Sequence, residues 1–249
     1  NMALTLRGSG QVSADNYGID SDGSITATGI TSSGNLLLET SGNPSITNKT
    51  TGAGNNPSYR LQADTNYWDL QGTFSNANDE LFFMHNGSIK MGIDASGRIT
   101  TPNQPSFIAR TNSTFNYTGG TGYQTITCFG NAILNRSNSY NTSNGTFTAP
   151  VTGHYQFNLQ LLLSNVATGD DSIHIAFTQS GAQQIYANIR SPGSAANGVV
   201  GYGQYLPVIG VGDMYMSAND TLQIKLSSSG TMNIYGGADW GRFSGHLIG

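Results

Sequence analysis

Charge is what this sequence has least of. Asp, Glu, Lys and Arg together make up 10% of the 249 residues, against roughly a quarter in ordinary soluble domains. The formal net charge is −4 and the pI is near 5.4. With no basic patch, phosphate backbones and anionic membrane surfaces are poor partners, so no nucleic-acid partner is expected. Cysteine is represented by Cys128 alone, which excludes an intrachain disulfide and a Cys-based metal cage. Rigidity has to come from sheets and assembly. No run approaches the ~18 apolar residues of a membrane span and no signal-peptide pattern opens the chain, so no membrane insertion is expected. Asn1-Met2 leads straight into the strand-like Ala3-Leu4-Thr5-Leu6, a start that also suits a fragment whose preceding domains are missing.

Apolar residues are sparse too, at 37%, and glycine alone supplies 33 positions. The low net charge and an aromatic content of 10% keep the chain out of the disordered class. The few apolar residues must therefore be well placed, and such a chain often completes its core by associating with copies of itself. No apolar stripe of period 3.6 occurs. Short alternating runs between Gly, Asn and Ser clusters recur throughout, which predicts an all-β protein.

The first hundred residues contain a repeat. Gly18-Ile-Asp-Ser-Asp-Gly-Ser-Ile-Thr26 returns as Gly92-Ile-Asp-Ala-Ser-Gly-Arg-Ile-Thr100, identical at six of nine positions. Each copy reads as a β-turn in which Asp bonds its own backbone and Gly supplies positive φ at the exit. The flanking isoleucines are expected to plant both strands in a shared core. The copies are either two ordinary hairpins or the ends of successive stalk units. Between them, Leu36–Leu38, Tyr59–Ala63, Tyr67–Leu70, Leu81–Met84 and Ile89–Met91 read as strands, with turns at Gly52–Asn55 and Asn86-Gly87. Pro102 and Pro105 interrupt any ladder, so residues 1–103 are predicted as a β-rich stalk and 104–249 as a head.

Strands become cleaner from Ser106 onward. Tyr155, Phe157, Leu159, Leu161 and Leu163 alternate with a mainly polar set, as do Ile173, Ile175 and Phe177, and Leu222, Ile224 and Leu226. Several strands at this spacing indicate a sandwich or jelly roll. Gly145 should end a polar turn, and Phe147 should enter the core. Pro150 should break pairing where the chain changes sheets, and Gly153 should admit Tyr155 and Phe157.

Phe129, Asn135, Tyr140, Phe147, Gly153, Tyr155 and Phe157 fall at spacings that resemble the globular head of complement C1q and its relatives. Phe243–Ile248 is similar to that family's closing strand, and Asn219-Asp220 to its Gly-Asp turn. The resemblance covers about residues 106–249. It implies a ten-strand jelly roll assembling as a homotrimer, and binding rather than catalysis. The repeated Ile-Asp-x-x-Gly-x-Ile-Thr units resemble bacteriophage tail-fibre proteins, which implies a trimeric stalk carrying a trimeric adhesive head.

Catalytic and metal constellations are weak. His85, His154, His174 and His246 show no metal-site spacing, although a trimer axis could gather His246 from each subunit. Asp79-Glu80 and Asp170-Asp171 are neighbours that point apart or to solvent, whereas a glycosidase needs two carboxylates about 5–10 Å apart in a cleft. Some relatives of the head family bind calcium through acidic loops. The corresponding stretch here, Tyr235–Trp240, offers only Asp239, too few oxygens for calcium without symmetry and water, and no other cofactor is implied. No Gly-x-Ser-x-Gly elbow has a plausible acid and base. Gly119–Gly122 and Gly198–Gly203 precede no helix that could cradle phosphate. Asn112 and Asn141 form glycosylation sequons, which matter only in a secreted eukaryotic protein. Aromatics among Gly, Ser and Asn suit contact with sugars or proteins, which makes Tyr117, Tyr123, Tyr202, Tyr205 and Trp240 ligand candidates; each could equally pack in a core or interface.

The sequence thus leads to a non-enzymatic, homotrimeric receptor-binding tip of a phage tail fibre. Such a tip would be located in the virion, joined to other tail proteins, and bind a host-surface glycan or protein. A polysaccharide-depolymerising tailspike drawing on Asp64, Asp69, Asp79 and Glu80, and a secreted cellular adhesin, are the alternatives.

Overall fold

The computed structural model describes residues 47–49, 56–75, 78–166, 172–190 and 205–249. The chain divides into two compact units, Asn1–Thr47 and Asn48–Gly249; every described residue but Thr47 lies in the second. Among them every regular element is a strand. The first copy of the repeat, Leu36–Leu38 and Gly52–Asn55 lie outside the described residues.

Hairpins of local register build the first sheet. β1 (Ser58–Ala63), β2 (Asn66–Ser75), β3 (Asn78–His85), β4 (Ser88–Asp94) and β5 (Ile99–Thr100) pair in chain order, all antiparallel. Asn86 (φ 48°) and Gly87 (φ 76°) make the tight β3–β4 turn, a conformation that Asn-Gly adopts at little cost. The predicted Asp turn forms between β4 and β5. Asp94 Oδ1 accepts from the N–H groups of Ser96 and Arg98, both at 2.9 Å, and Gly97 sits at φ 78°. The two flanking isoleucines pair across the hairpin, but Ile99 is 63% exposed. Among the described residues no second layer covers this face, so the shared core expected beneath the isoleucines is not seen there.

The opposite face of this sheet is mixed, with Phe82 and Met84 beside its charged residues. Arg60 grips Asp69 with two hydrogen bonds of 2.8 and 2.9 Å and lies 3.8 Å over the Tyr67 ring. That guanidinium holds the Asp69 carboxyl below its ordinary range. Residues 101–105 then carry no strand, as two prolines dictate.

From Ser106 the chain builds two facing sheets. One runs in the order β10 (Tyr140–Asn141), β11 (Thr146–Thr148), β16 (Thr221–Ser228), β13 (Ser172–Gln179) and β14 (Ala182–Arg190). The other contains β9 (Asn131–Arg136), β6 (Ser106–Arg110), β18 (Arg242–Leu247), β12 (Gly153–Ser164) and β15 (Tyr205–Met216), paired successively. These ten form the two layers of a jelly roll; with three further strands the described sheets have six and seven members, so thirteen strands stand where ten were expected. Three short strands, β7 (Phe115–Tyr117), β8 (Gly120–Thr125) and β17 (Met232–Ile234), extend the sheets at one end.

Alternation explains the core. In β12, Tyr155, Phe157, Leu159, Leu161 and Leu163 are all buried, while His154, Asn158 and Gln160 are exposed. Each large apolar side chain buried this way contributes on the order of 1.5–3 kcal/mol. Phe243 is the hub of the aromatic cluster, edge-on to Phe107 at 4.9 Å and close to Phe129, Tyr140 and Phe157.

The motif residues have separable physical tasks. Asn135 accepts from the backbone N–H of Tyr140 and donates to its carbonyl, pinning the turn in which Ser137 and Asn138 take positive φ. Gly145 sits at φ 66°, where a Cβ would lie 2.5 Å from the Ile126 carbonyl oxygen. Asn219, which stands where the resembled family has the Gly of its Gly-Asp turn, takes the left-handed conformation at φ 73°. Pro150 falls between β11 and β12, where the chain changes sheets. The reading of Gly153 needs correction: it makes room for Leu247 and Gly249. The glycine that admits Phe157 is Gly245, across the β12–β18 ladder.

Candidate functional site

The side chains of β12, β15 and β18 that point away from the core form the outer face of the second sheet. Register sets its rows: Arg110, Arg242, Gln160 and Ile209; then Ile108, Ser244, Asn158 and Val211; then Ser106, His246, Gln156 and Asp213. On the edge strand β15, Tyr205, Ile209, Val211 and Tyr215 are between 50% and 76% exposed. An edge strand with such a row is an unstable surface in isolation, since it offers both unpaired backbone and apolar area. Between β18, β12 and β15 lies a shallow groove of about 350 Å3 lined by Asn158, Gln160, Ile209, Val211, Arg242 and Ser244. Neither Arg110 nor Arg242 joins an ion pair among the described residues, and Asp213 stands at the other end of the face. Polar, apolar and basic strips thus lie side by side.

An aromatic group borders this face where β12 meets β17. Tyr235 follows the buried Ile234, so alternation turns its ring outward, and its N–H bonds the Leu162 carbonyl. Its ring stands perpendicular to Trp240 at 5.9 Å and nearly perpendicular to Tyr205 at 5.6 Å. Trp240 is 51% exposed and packs on Gly237, whose φ of +123° and short distance to the indole exclude a side chain there. The Thr111 hydroxyl donates to the Gly237 carbonyl at 2.6 Å, fixing that turn. Rigid, half-exposed rings can stack on an apolar ligand face at little entropic cost.

Of the sequence-predicted ligand residues, Tyr205 and Trp240 are brought together here by Tyr235, which sequence reasoning did not single out. Tyr117 is a correction. It is buried, and its hydroxyl accepts from the Ser228 N–H and lies 2.9 Å from the Ser228 carbonyl, tying β7 to β16. Tyr123 is half-buried within β8. Tyr202 lies outside the described residues, as do Asp170-Asp171 and Gly198–Gly203.

The titratable residues are dispersed. His85 packs on Trp68 and His154 on Tyr215, while His246 is exposed on the outer face. Asp239 is exposed in the Trp240 turn, and no group of three His, Cys, Asp or Glu gathers among the described residues. Asp79 and Glu80 are successive residues of β3 and face opposite ways. Glu80 lies across the ladder from Asp94, whose oxygens are occupied by the Ser96 and Arg98 N–H groups and the Arg98 guanidinium. Asp69 is paired with Arg60. These carboxylates therefore do not make the free pair in a cleft that glycoside hydrolysis requires. The Cys128 thiol is buried, which pushes its pKa up to about 12 and leaves it inert as a nucleophile.

Two antiparallel sheets, of six and seven described strands, around an aromatic core define a jelly-roll fold. Residues 106–200 match the C1q domain family, in agreement with the resemblance carried by Phe129–Phe157. Among solved structures the chain is similar to the globular domain of zebrafish complement 1qA, at 17% identity over 59% of this chain and 98% of that one, with a TM-score of 0.40. It is also similar to Eiger TNF from S. frugiperda, at 8% identity over 59% and 94%, with a TM-score of 0.44. Murine APRIL matches at 10% identity over 58% and 99%, with a TM-score of 0.42. No curated protein matches the sequence.

Proposed function

We propose that the protein is a homotrimeric, non-catalytic recognition module. Its C1q-like head associates through the outer face of the second sheet, and the Tyr205–Tyr235–Trp240 group contacts the ligand. The observation that carries this reading is the uncovered apolar row of β15. Four large side chains on one edge strand, flanked by a basic strip at one end and Asp213 at the other, favour head-to-tail packing around a closed ring. Three copies then present three aromatic groups together, and weak individual sites gain avidity. Glycans with an apolar sugar face, or a protein loop, suit these rings.

The setting we favour is the receptor-binding tip of a phage tail fibre, joined to other virion tail proteins and acting outside the host cell. The Asp94–Gly97 turn ending the five-stranded sheet, with its sequence copy at Gly18–Thr26, supports a repeating shaft. Light scattering on the full chain should return three times 26.2 kDa, and Ile209→Lys should dissociate the head. A wild-type monomer refutes the reading. On a glycan array, Trp240→Ala should lose the signal while keeping the trimer mass.

A further inference from the structure

The five-stranded sheet of β1–β5 has one face that no described element covers. Tyr59, Leu70 and Phe83 form a cross-strand row, Leu61 and Trp68 pair beside it, and Ile99 closes the far edge. Their exposures run from 38% to 63%. Charge enters only at the rim, where Asp79 pairs with Phe74. Arg60, Asp69, Glu80 and Asp94 all lie on the other face.

A sheet buries its apolar face against another layer, and one left bare has no core of its own. Whatever covers this face must be present whenever the sheet is folded, which a receptor met occasionally is not. Its composition is that of a permanent interface between like chains, being large aliphatic and aromatic side chains with charge at the edge. Half-exposed side chains of this size offer on the order of 700 Å2, close to the ~800 Å2 per partner of a stable interface. The link to the head is also short and anchored. Gln104 donates to the Leu247 carbonyl, Arg136 to the Thr101 carbonyl and Ser137 to the Asn103 carbonyl. Heads that associate therefore hold their sheets at high effective concentration.

We infer that this face is a second assembly surface, on which copies of the same chain pack their sheets apolar side to apolar side. The number of copies rests on the trimeric reading of the head; the surface itself does not. Head and sheet interfaces are distinct, and the sheet keeps its fold only while its own apolar face is covered.

Two measurements on the full chain test this. With three sheets packed on a common axis, the middle strand β3 lies innermost. Leu81→Cys should then be linked between copies by a short bismaleimide, whereas Gln62→Cys, on the opposite face, should not. Cys128 is buried and stays silent. Trp68 and Trp240 are the two tryptophans, so Trp240→Phe leaves Trp68 as the sole reporter. Its fluorescence should be shielded from acrylamide in the assembly and quenched severalfold more strongly once Phe83→Lys is added, with the head still holding the trimer mass. A trimer in which Leu81→Cys fails to link, or in which Trp68 is freely quenched, overturns this inference and leaves the head reading standing. A monomeric wild type sinks both readings, since no copy then covers either surface. If Trp68 is shielded in that monomer, the face is covered within one chain.

Discussion

Replacing Gly245 by alanine adds a single methyl group where the jelly roll has no room for one. Gly245 lies in register between Phe157 of β12 and Phe107 of β6. A Cβ there would stand 2.5 Å from Phe157 Cδ1 and 2.8 Å from Phe107 Cε1. Neither ring can retreat easily, because Phe157 is edge-on to Phe147 at 5.2 Å and Phe107 is stacked on Tyr140 at 4.6 Å. Overpacking of this kind costs about 2–3 kcal/mol, lowering Tm by roughly 4–12 °C in a domain of this size. Gly122→Ala is the internal control, since its Cβ meets nothing within 4 Å. That variant should be neutral or gain up to about 1 kcal/mol through the unfolded chain. Urea titration followed by circular dichroism, at one fixed protein concentration, measures both. Phe157→Ala removes the ring atoms that clash, so the double variant should fall short of the sum of singles by at least about 1 kcal/mol. A Gly245→Ala protein within about 0.5 kcal/mol of wild type would refute the packing argument, since that is the scatter of ordinary surface changes.

Two further predictions concern ionisable groups. The Cys128 thiol, with its pKa pushed up to about 12 by burial, should resist a thiol-reactive disulfide reagent at neutral pH and react stoichiometrically once urea unfolds the head. Asp94 is held below the usual carboxylate range chiefly by the Arg98 N–H and guanidinium, and Asp220 chiefly by the Ser217 N–H and then the Gln179 amide. A depressed pKa means that their stabilising effect is present above the ordinary carboxylate value and lost as pH falls through the folded one. Carboxyl resonances followed by NMR should therefore titrate below those of exposed aspartates, and Asp220→Asn should flatten the acid limb of the melting curve.

Period-two alternation made the head legible, because a strand buried on one side writes its burial directly into sequence. Residues 153–164 are the clearest case. Asn219 was legible for a different reason: it stands where the resembled family has glycine, and asparagine is among the few residues that tolerate positive φ. Short strands defeat the same logic. β7 has three residues, too few for alternation to say which way Tyr117 points, and its hydroxyl partner Ser228 lies 111 residues away. The aromatic group at Trp240 was half visible. Tyr235 continues the parity of β17 and lies near Trp240 in sequence, but Tyr205 is distant and meets them only because β15 and β17 both pair with β12. Gly153 and Gly245 look alike as letters; which of them faces a ring depends on β6, β12 and β18 lying side by side. Ile99 shows a limit of another kind. Its strand and turn were readable, but pattern alone could not tell that no described strand would cover its face.

The two sheet systems are completed at very different times as the chain is made. The β1–β5 hairpins close through turns of a few residues, so that sheet can pair as soon as it leaves the ribosome. β6 has to wait for β18, and Gln104 for the Leu247 carbonyl 143 residues later. At synthesis rates of about 5–20 residues per second this delay is roughly 7–30 s. During that interval the first large apolar surface available to the sheet is the same sheet on the neighbouring nascent chain. Assembly that begins on one message would enrich trimers in chains from a single transcript, so two differently tagged copies expressed together should mix less than at random.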